Sequence, residues 1–255
     1  MTATHFLSTA RLRSTRGAAL AVITPLLLTN DPNRDAGHAH RLVWLLFQEG
    51  PETRDYLWRD EGGDTYRILS PRPPTDPNGL FDLDIQPFAP ELHLGSRLRF
   101  SLRAVPTVAT KRVLDPSAIG AGARPRGQRV DIVMEALRAV PKKDRGSARD
   151  AIVTEVGTRW LEAQGAKAGF RVLPEPGLVV HSPAQAAVAK PAGRQGTGKN
   201  KGKTQPRPSG RPPGSVLDFT GAIEVTDPDA LLARLTAGFG SAKASGNGLL
   251  LISRE

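Results

Sequence analysis

His40 and His38 are the residues of this chain whose type and spacing invite chemistry first. An imidazole can remove or donate a proton near neutral pH, the service that cleaving a phosphodiester needs at both the attacking hydroxyl and the leaving oxygen. Beside Val43 and Trp44 on a helix, His40 has two readings, a packed structural residue or a proton carrier, and pattern leaves both open. The five histidines are His5, His38, His40, His93 and His181, and cysteine is absent. No disulfide, thiolate nucleophile or cysteine-based zinc site is therefore available. No HExxH arrangement occurs, and a spacing of two turns His38 and His40 roughly 200° apart on a helix. No metal site and no cofactor is expected.

The second candidate is the glycine-rich stretch Gly238–Gly248, with Gly240, Ser241, Lys243 and Gly246 within it. Its glycines allow positive φ and close backbone approach, so its amides could hold phosphate oxygens while Lys243 supplies charge. It lacks the GK[ST] ending of a P-loop, and it follows a helix where the dinucleotide fingerprint opens a βαβ unit. Phosphate or RNA contact stands beside a plainer reading, a tight connection into a final strand.

Charge points to the partner. Residues 1–95 carry 9 Lys/Arg against 12 Asp/Glu, a net of −3, and residues 96–255 carry 26 against 13, a net of +13. Such asymmetry fits a polyanion engaged mainly by the second half, although an arginine-rich composition with solvated side chains gives the same count. Two clusters dominate. Arg112, Arg124, Arg126, Arg129, Lys142, Lys143 and Arg145 form the first; the second, with Lys199, Lys201 and Lys203, lies in a stretch from Pro176 to Leu217 that has no acidic residue. Contacts of this kind give salt-sensitive affinity without sequence choice and suit an A-form groove; a solubilising linker is the alternative for the second cluster. With aromatics at 5% of residues, a reader of single strands built on base stacking is disfavoured.

The elements that must position these residues follow from local signals. A strand over Thr4–Leu12 precedes a helix opened by Asp31-Pro32 and ended by Gly50-Pro51. Glu61-Gly62-Gly63-Asp64 closes a hairpin, and Phe81–Phe88 alternates as a half-buried strand. Arg97–Arg103 alternates strictly, with Leu98, Phe100 and Leu102 on one face. A basic connector over 111–149, a helix over Ala148–Ala163 and strands near Phe170–Leu173 and Leu178–His181 come next. The tract 183–213 is too rich in Ala, Gly, Pro, Lys and Arg to form a core. A strand over Val216–Val225, a helix opened by Asp227-Pro228 and a last strand over Leu249–Ile252 complete the series. The order predicts an α+β fold of two tandem ferredoxin-like (RRM-like) domains, 1–95 and 96–255, with basic insertions at 111–149 and 183–213 in the second. No apolar run spans a bilayer and no signal-peptide cleavage site is evident, so a cytoplasmic protein with no membrane contact is expected.

Three segments resemble the CasE family, the repeat-processing endoribonucleases of Type I-E CRISPR systems. His40–Phe47 resembles the family helix that begins with the catalytic histidine. Arg97–Thr107 is similar to its "LRFRLRANP" strand, and Gly238–Leu250 to its "GIGPAKSMGCGLL" loop. The resemblance implies tandem ferredoxin-like domains, a CRISPR repeat hairpin RNA as substrate, and metal-independent cleavage 3′ of the stem by 2′-hydroxyl attack. It also implies retention of the product with other Cascade subunits. His40 would then transfer the proton. The tyrosine common three residues before the histidine is Gly37 here, which makes His38 a candidate substitute, and the asparagine before the strand-ending proline is Val105. Alternatives are a non-catalytic repeat-RNA-binding subunit and a structural assembly protein of a ribonucleoprotein.

Overall fold

The computed structural model describes residues 5–13, 35–49, 51, 54–110, 128–183 and 214–254. The first four strands are β1 (His5–Leu12), β2 (Leu57–Gly62), β3 (Thr65–Ser70) and β4 (Phe81–Phe88), with helix α1 (Asp35–Leu45) between β1 and β2. They pair antiparallel in the order β2-β3-β1-β4. The tight turn at Gly63-Asp64, both at positive φ, is the one the hairpin signal predicts. Ala39, Leu42, Val43 and Leu46 bury one stripe of α1 and its exit against Ala10, Tyr66, Ile68 and Phe81 of the sheet.

Regular helix ends at Leu45, before the predicted Gly50-Pro51 stop, because the chain tightens: Leu46 N–H donates to the Val43 carbonyl (3.1 Å) and Phe47 N–H to that of Trp44 (3.0 Å). Phe47 then stacks on Tyr56 with ring centroids 4.2 Å apart. Arg72 lies 4.9 Å over the Phe47 ring and donates to the Phe47 carbonyl, satisfying a group that the helix end leaves open.

The second sheet comprises β5 (Arg97–Ala104), β8 (Phe170–Val172), β9 (Val179–His181), β10 (Leu217–Val225) and β11 (Leu250–Arg254). Its order is β11-β5-β10-β8, with β9 also on β10. Taking β8/β9 as one interrupted strand, both sheets share the spatial order fourth-first-third-second, the ferredoxin-like arrangement. The fold is α+β with two such units in tandem. Leu98, Phe100 and Leu102 face the second core as the alternation predicts. That core is covered by α3 (Arg145–Ala168), longer at both ends than predicted, and α4 (Pro228–Ala237), capped by Asp227 through Ala230 N–H (3.0 Å).

One expectation is corrected. The region 111–149 is not a continuous basic connector: its second part forms β7 (Gln128–Asp131), paired with β6 (Thr107–Thr110), then α2 (Ile132–Arg138) and the start of α3. Asp131 caps α2 by accepting from Val133 and Met134 N–H (2.9 and 3.0 Å), and its other oxygen accepts from Ser215 N–H. Val133 and Leu137 join the second core. High arginine content hid an ordinary cap-and-apolar-face signal. Among the described residues no helix is long and apolar enough to cross a membrane.

The two sheets meet. Leu57 and Leu69 of the first pack against Leu249, with Leu7, Phe88 and Leu251 around them. Arg59 of β2 donates to Ser101 of β5 (2.6 Å).

Candidate active site

Trp58 of β2 forms the floor of the site. It is 1% exposed, and its indole N–H donates to the Ala244 carbonyl (3.2 Å), tying the first sheet to the loop that follows α4. His40 stands on the same indole: its ring centroid is 6.5 Å from that of Trp58 and 6.0 Å from that of Trp44, one helical turn on. The catalytic candidate of the first unit is thus brought to the glycine-rich loop of the second.

The loop's course explains its glycines. After Gly238 it turns so that Phe239 N–H donates to the Gly248 carbonyl (2.9 Å), while Ser241 N–H reaches Val105 (3.0 Å) and Gly248 N–H reaches Arg103 (2.7 Å). A single 3₁₀ turn, Lys243–Ser245, faces α1. At Gly248, φ is +90° and a Cβ would lie 2.4 Å from the Phe239 carbonyl oxygen. At Gly246, φ is +75° and a Cβ would lie 3.0 Å from the Trp58 ring. Only glycine suits both conformation and space. Asn247 is buried and braces the turn from inside, its amide donating to the Ala242 and Ser245 carbonyls (3.3 and 3.0 Å).

These contacts alter the expectation for the loop. The amides of Phe239, Ser241, Ser245 and Gly248 already donate to backbone carbonyls, so those four are engaged in shaping the loop. Ser241 also spends its hydroxyl on the Val105 carbonyl (3.3 Å). Gly240 sits at the same crossing. Val105, where the resemblance leads one to look for asparagine, is buried and serves through its backbone. Lys243 is the loop's cation. Its ammonium donates to the Ala237 carbonyl (2.7 Å), the exposed end of α4, and keeps further donors.

Charge around His40 is one-sided. Burial lowers its pKa below 6.5, the nearby Arg54 guanidinium lowers it further, the Ala244 backbone opposes this, and Arg41 adds a smaller lowering. Lys243 is likewise held down, by burial and then by Arg234, Arg54 and Arg129. Burial also lowers the pKa of Arg54. Among the described residues no carboxylate figures in the influences on these three groups. Among the described residues His40 Nδ1, Arg41 Nε and Arg54 Nη1 are buried without hydrogen-bond partners, and buried polar atoms ordinarily have one. The cations of the site and a depressed imidazole pKa thus sit side by side.

Of the other residues singled out by sequence, Arg129 lies on β7 and contributes to the field at Lys243. Lys142 and Lys143 sit exposed in the turn between α2 and α3. The backbone of His38 belongs to α1, but its side chain lies outside the described residues, as do Arg112, Arg124, Arg126, Lys199, Lys201 and Lys203. Sequence reading missed Trp58, Arg54 and Arg234. Arg234 reads locally as a helix-surface residue, yet it lies 4.9 Å over the Phe239 ring and donates to Gln164 (2.6 Å). Among the described residues no group of three or more His, Asp or Glu is placed to hold a metal ion.

Solved structures share this fold. CRISPR endoribonuclease Cse3 bound to a 19-nucleotide RNA is 22% identical over 99% of this chain and 100% of that chain, with a TM-score of 0.56. Thermus thermophilus Cse3, bound to an RNA representing a pre-cleavage complex, is 22% identical over 98% and 99%, at 0.53. The CRISPR-associated protein Cas6e from Escherichia coli str. K-12 is 19% identical over 98% and 100%, at 0.50. At these identities the likeness is one of fold. Among curated proteins no sequence match is found. The family model described as "CRISPR associated protein" matches residues 5–254, nearly end to end. The chain belongs to the CRISPR associated protein family.

Proposed function

We propose that this protein is a metal-independent endoribonuclease that cleaves the hairpin repeats of CRISPR precursor RNA. The observation that carries the reading is His40 seated against the 3₁₀ turn of the glycine-rich loop, within a cluster of arginines and Lys243 that no carboxylate among the described residues neutralises. Likeness to Cse3 structures bound to RNA supports the substrate class, and the family's CRISPR association supports the setting.

In the proposed reaction, neutral His40 takes the proton of a ribose 2′-hydroxyl. The oxygen attacks the adjacent phosphorus, the bond to the 5′-oxygen breaks, and solvent water supplies that oxygen with a proton while His40 later releases its own to solvent. The products are a 2′,3′-cyclic phosphate and a 5′-hydroxyl. Lys243 meets the charge that develops on the nonbridging oxygens, where fixed cations are worth more than in water. Cleavage falls 3′ of the stem; the basic stretches 111–127 and 183–213, with Arg129, Lys142 and Lys143, hold the stem through its phosphates. The product stays bound and enters Cascade with its other subunits. The two sequence domains, 1–95 and 96–255, divide the labour: the first brings His40, the second the loop and most of the positive charge.

The test is single-turnover cleavage of a CRISPR repeat hairpin in EDTA by wild type and His40→Ala. Expected is cleavage to a cyclic phosphate, slowed about 10²–10⁴-fold in the variant while hairpin binding persists. Tight binding by the wild type without cleavage would instead favour a repeat-holding subunit, a reading that Gly37 in place of tyrosine supports. Binding with no preference for the repeat would point to an assembly protein.

A further inference from the structure

Arg54 has no role in the reaction as written above, yet it occupies a position that an exposed arginine would not. The next residue, Asp55, is the natural carboxylate for it, but Asp55 is taken by Arg72, just past the end of β3 (Nε to Oδ2 3.1 Å, with a second contact at 3.4 Å). Among the described residues no carboxylate pairs with Arg54. Its only close side-chain partner among them is the Tyr56 ring, 5.9 Å from the guanidinium carbon. Tyr56 stacks on Phe47 and packs 6.2 Å from Trp44, so Arg54 is carried on the aromatic wall that also supports His40. Its Nη1 is buried without a hydrogen-bond partner among the described residues.

A guanidinium stays charged even when burial depresses its pKa. Held in this way with Lys243 as a second cation, it is best compensated by an anion. Its charge acts on both neighbours: it is the strongest of the charges lowering His40 and one of three lowering Lys243. An anion within reach of all three groups would touch the imidazole, the ammonium and the open edge of the guanidinium together.

We propose that Arg54 is a catalytic residue that grips the nonbridging oxygens of the scissile phosphate, sharing with Lys243 the charge that develops as the 2′-oxygen attacks. The proposal rests on the endoribonuclease reading above. Arg54 neither gains nor loses a proton; it donates hydrogen bonds throughout. Its planar fork suits two phosphate oxygens at once, which a lysine in its place would not reproduce.

The experiment compares wild type, Arg54→Ala, Arg54→Lys and His40→Ala in single-turnover cleavage of a repeat hairpin. Affinity is measured on the same hairpin with a 2′-deoxy substitution at the cleavage site, and folding by thermal melting. Arg54→Ala is expected to cleave about 100-fold slower, the scale of a lost transition-state donor, with melting unchanged and affinity within about threefold, since one phosphate contact among many is removed. Arg54→Lys should recover about tenfold, charge without the fork, and added guanidinium should partly restore Arg54→Ala. Wild-type rate in Arg54→Ala, with His40→Ala still slowed, would overturn the role of Arg54 and leave the endoribonuclease reading standing. Slow cleavage that neither lysine nor guanidinium improves, with lowered melting, would make Arg54 a packing residue and overturn the proposal. No cleavage by wild type overturns both.

Discussion

The indole N–H of Trp58 and the carbonyl of Ala244, 186 positions apart in the chain, lie 3.2 Å apart and join the floor beneath His40 to the loop that bears Lys243. Replacing Trp58 with phenylalanine keeps a ring against Gly246 and removes this donor. Loss of a part-buried hydrogen bond costs about 0.5–1.5 kcal/mol, measurable by urea unfolding. Cleavage should slow more than binding weakens, because the loop would shift relative to His40 while the basic surfaces remain.

Gly248→Ala should be more damaging. The φ of +90° and the 2.4 Å approach of a Cβ to the Phe239 carbonyl oxygen both oppose a side chain there, and a backbone held in so disfavoured a region costs about 1–3 kcal/mol. Denaturant unfolding of the variant measures this. Unchanged stability would mean that the loop does not take this course in solution.

His40 should titrate below 6.5, since burial first and Arg54 second disfavour the imidazolium. An NMR titration of the ring protons checks the midpoint, and Arg54→Ala should move it upward by removing a like charge. The linkage has a definite sign. The unfolded chain binds this proton more readily, so the contribution of His40 to stability is intact above 6.5 and is lost as pH falls through the lower folded midpoint. Cleavage should fall over the same acid range as the base becomes protonated.

Deleting residues 190–211 removes Lys190, Arg194, Lys199, Lys201, Lys203, Arg207 and Arg211. Hairpin affinity should drop, and the slope of log affinity against log salt should shrink by about one for each phosphate that these side chains neutralise. Affinity and slope both untouched would show that the tract takes no part in binding RNA.

Much of the architecture was legible because its signals are local. The turn at Gly63-Asp64, the Asp227 cap and the alternation of β5 depend on neighbours within a few residues, and each appears where its spacing predicts. Where a local signal was masked, the reading failed: Asp131 followed by Ile132, Val133 and Leu137 is a helix start, overlooked among arginines. The family resemblance directed attention to His40 and to the loop, but no periodicity relates residue 40 to residue 244.

By itself the sequence determined the alternating strands, the capped helices, the glycines that demand positive φ and the surplus of positive charge in the second half, since each follows from composition or from spacing under about ten residues. Only the tertiary structure decided which charges share a site. Arg54 becomes part of the His40 site because Asp55 turns to Arg72; Lys243 joins it because Trp58 holds the loop at Ala244. Both outcomes are contests between partners distant in the chain, and electrostatic energy depends on their separation in space, which the chain's order does not contain.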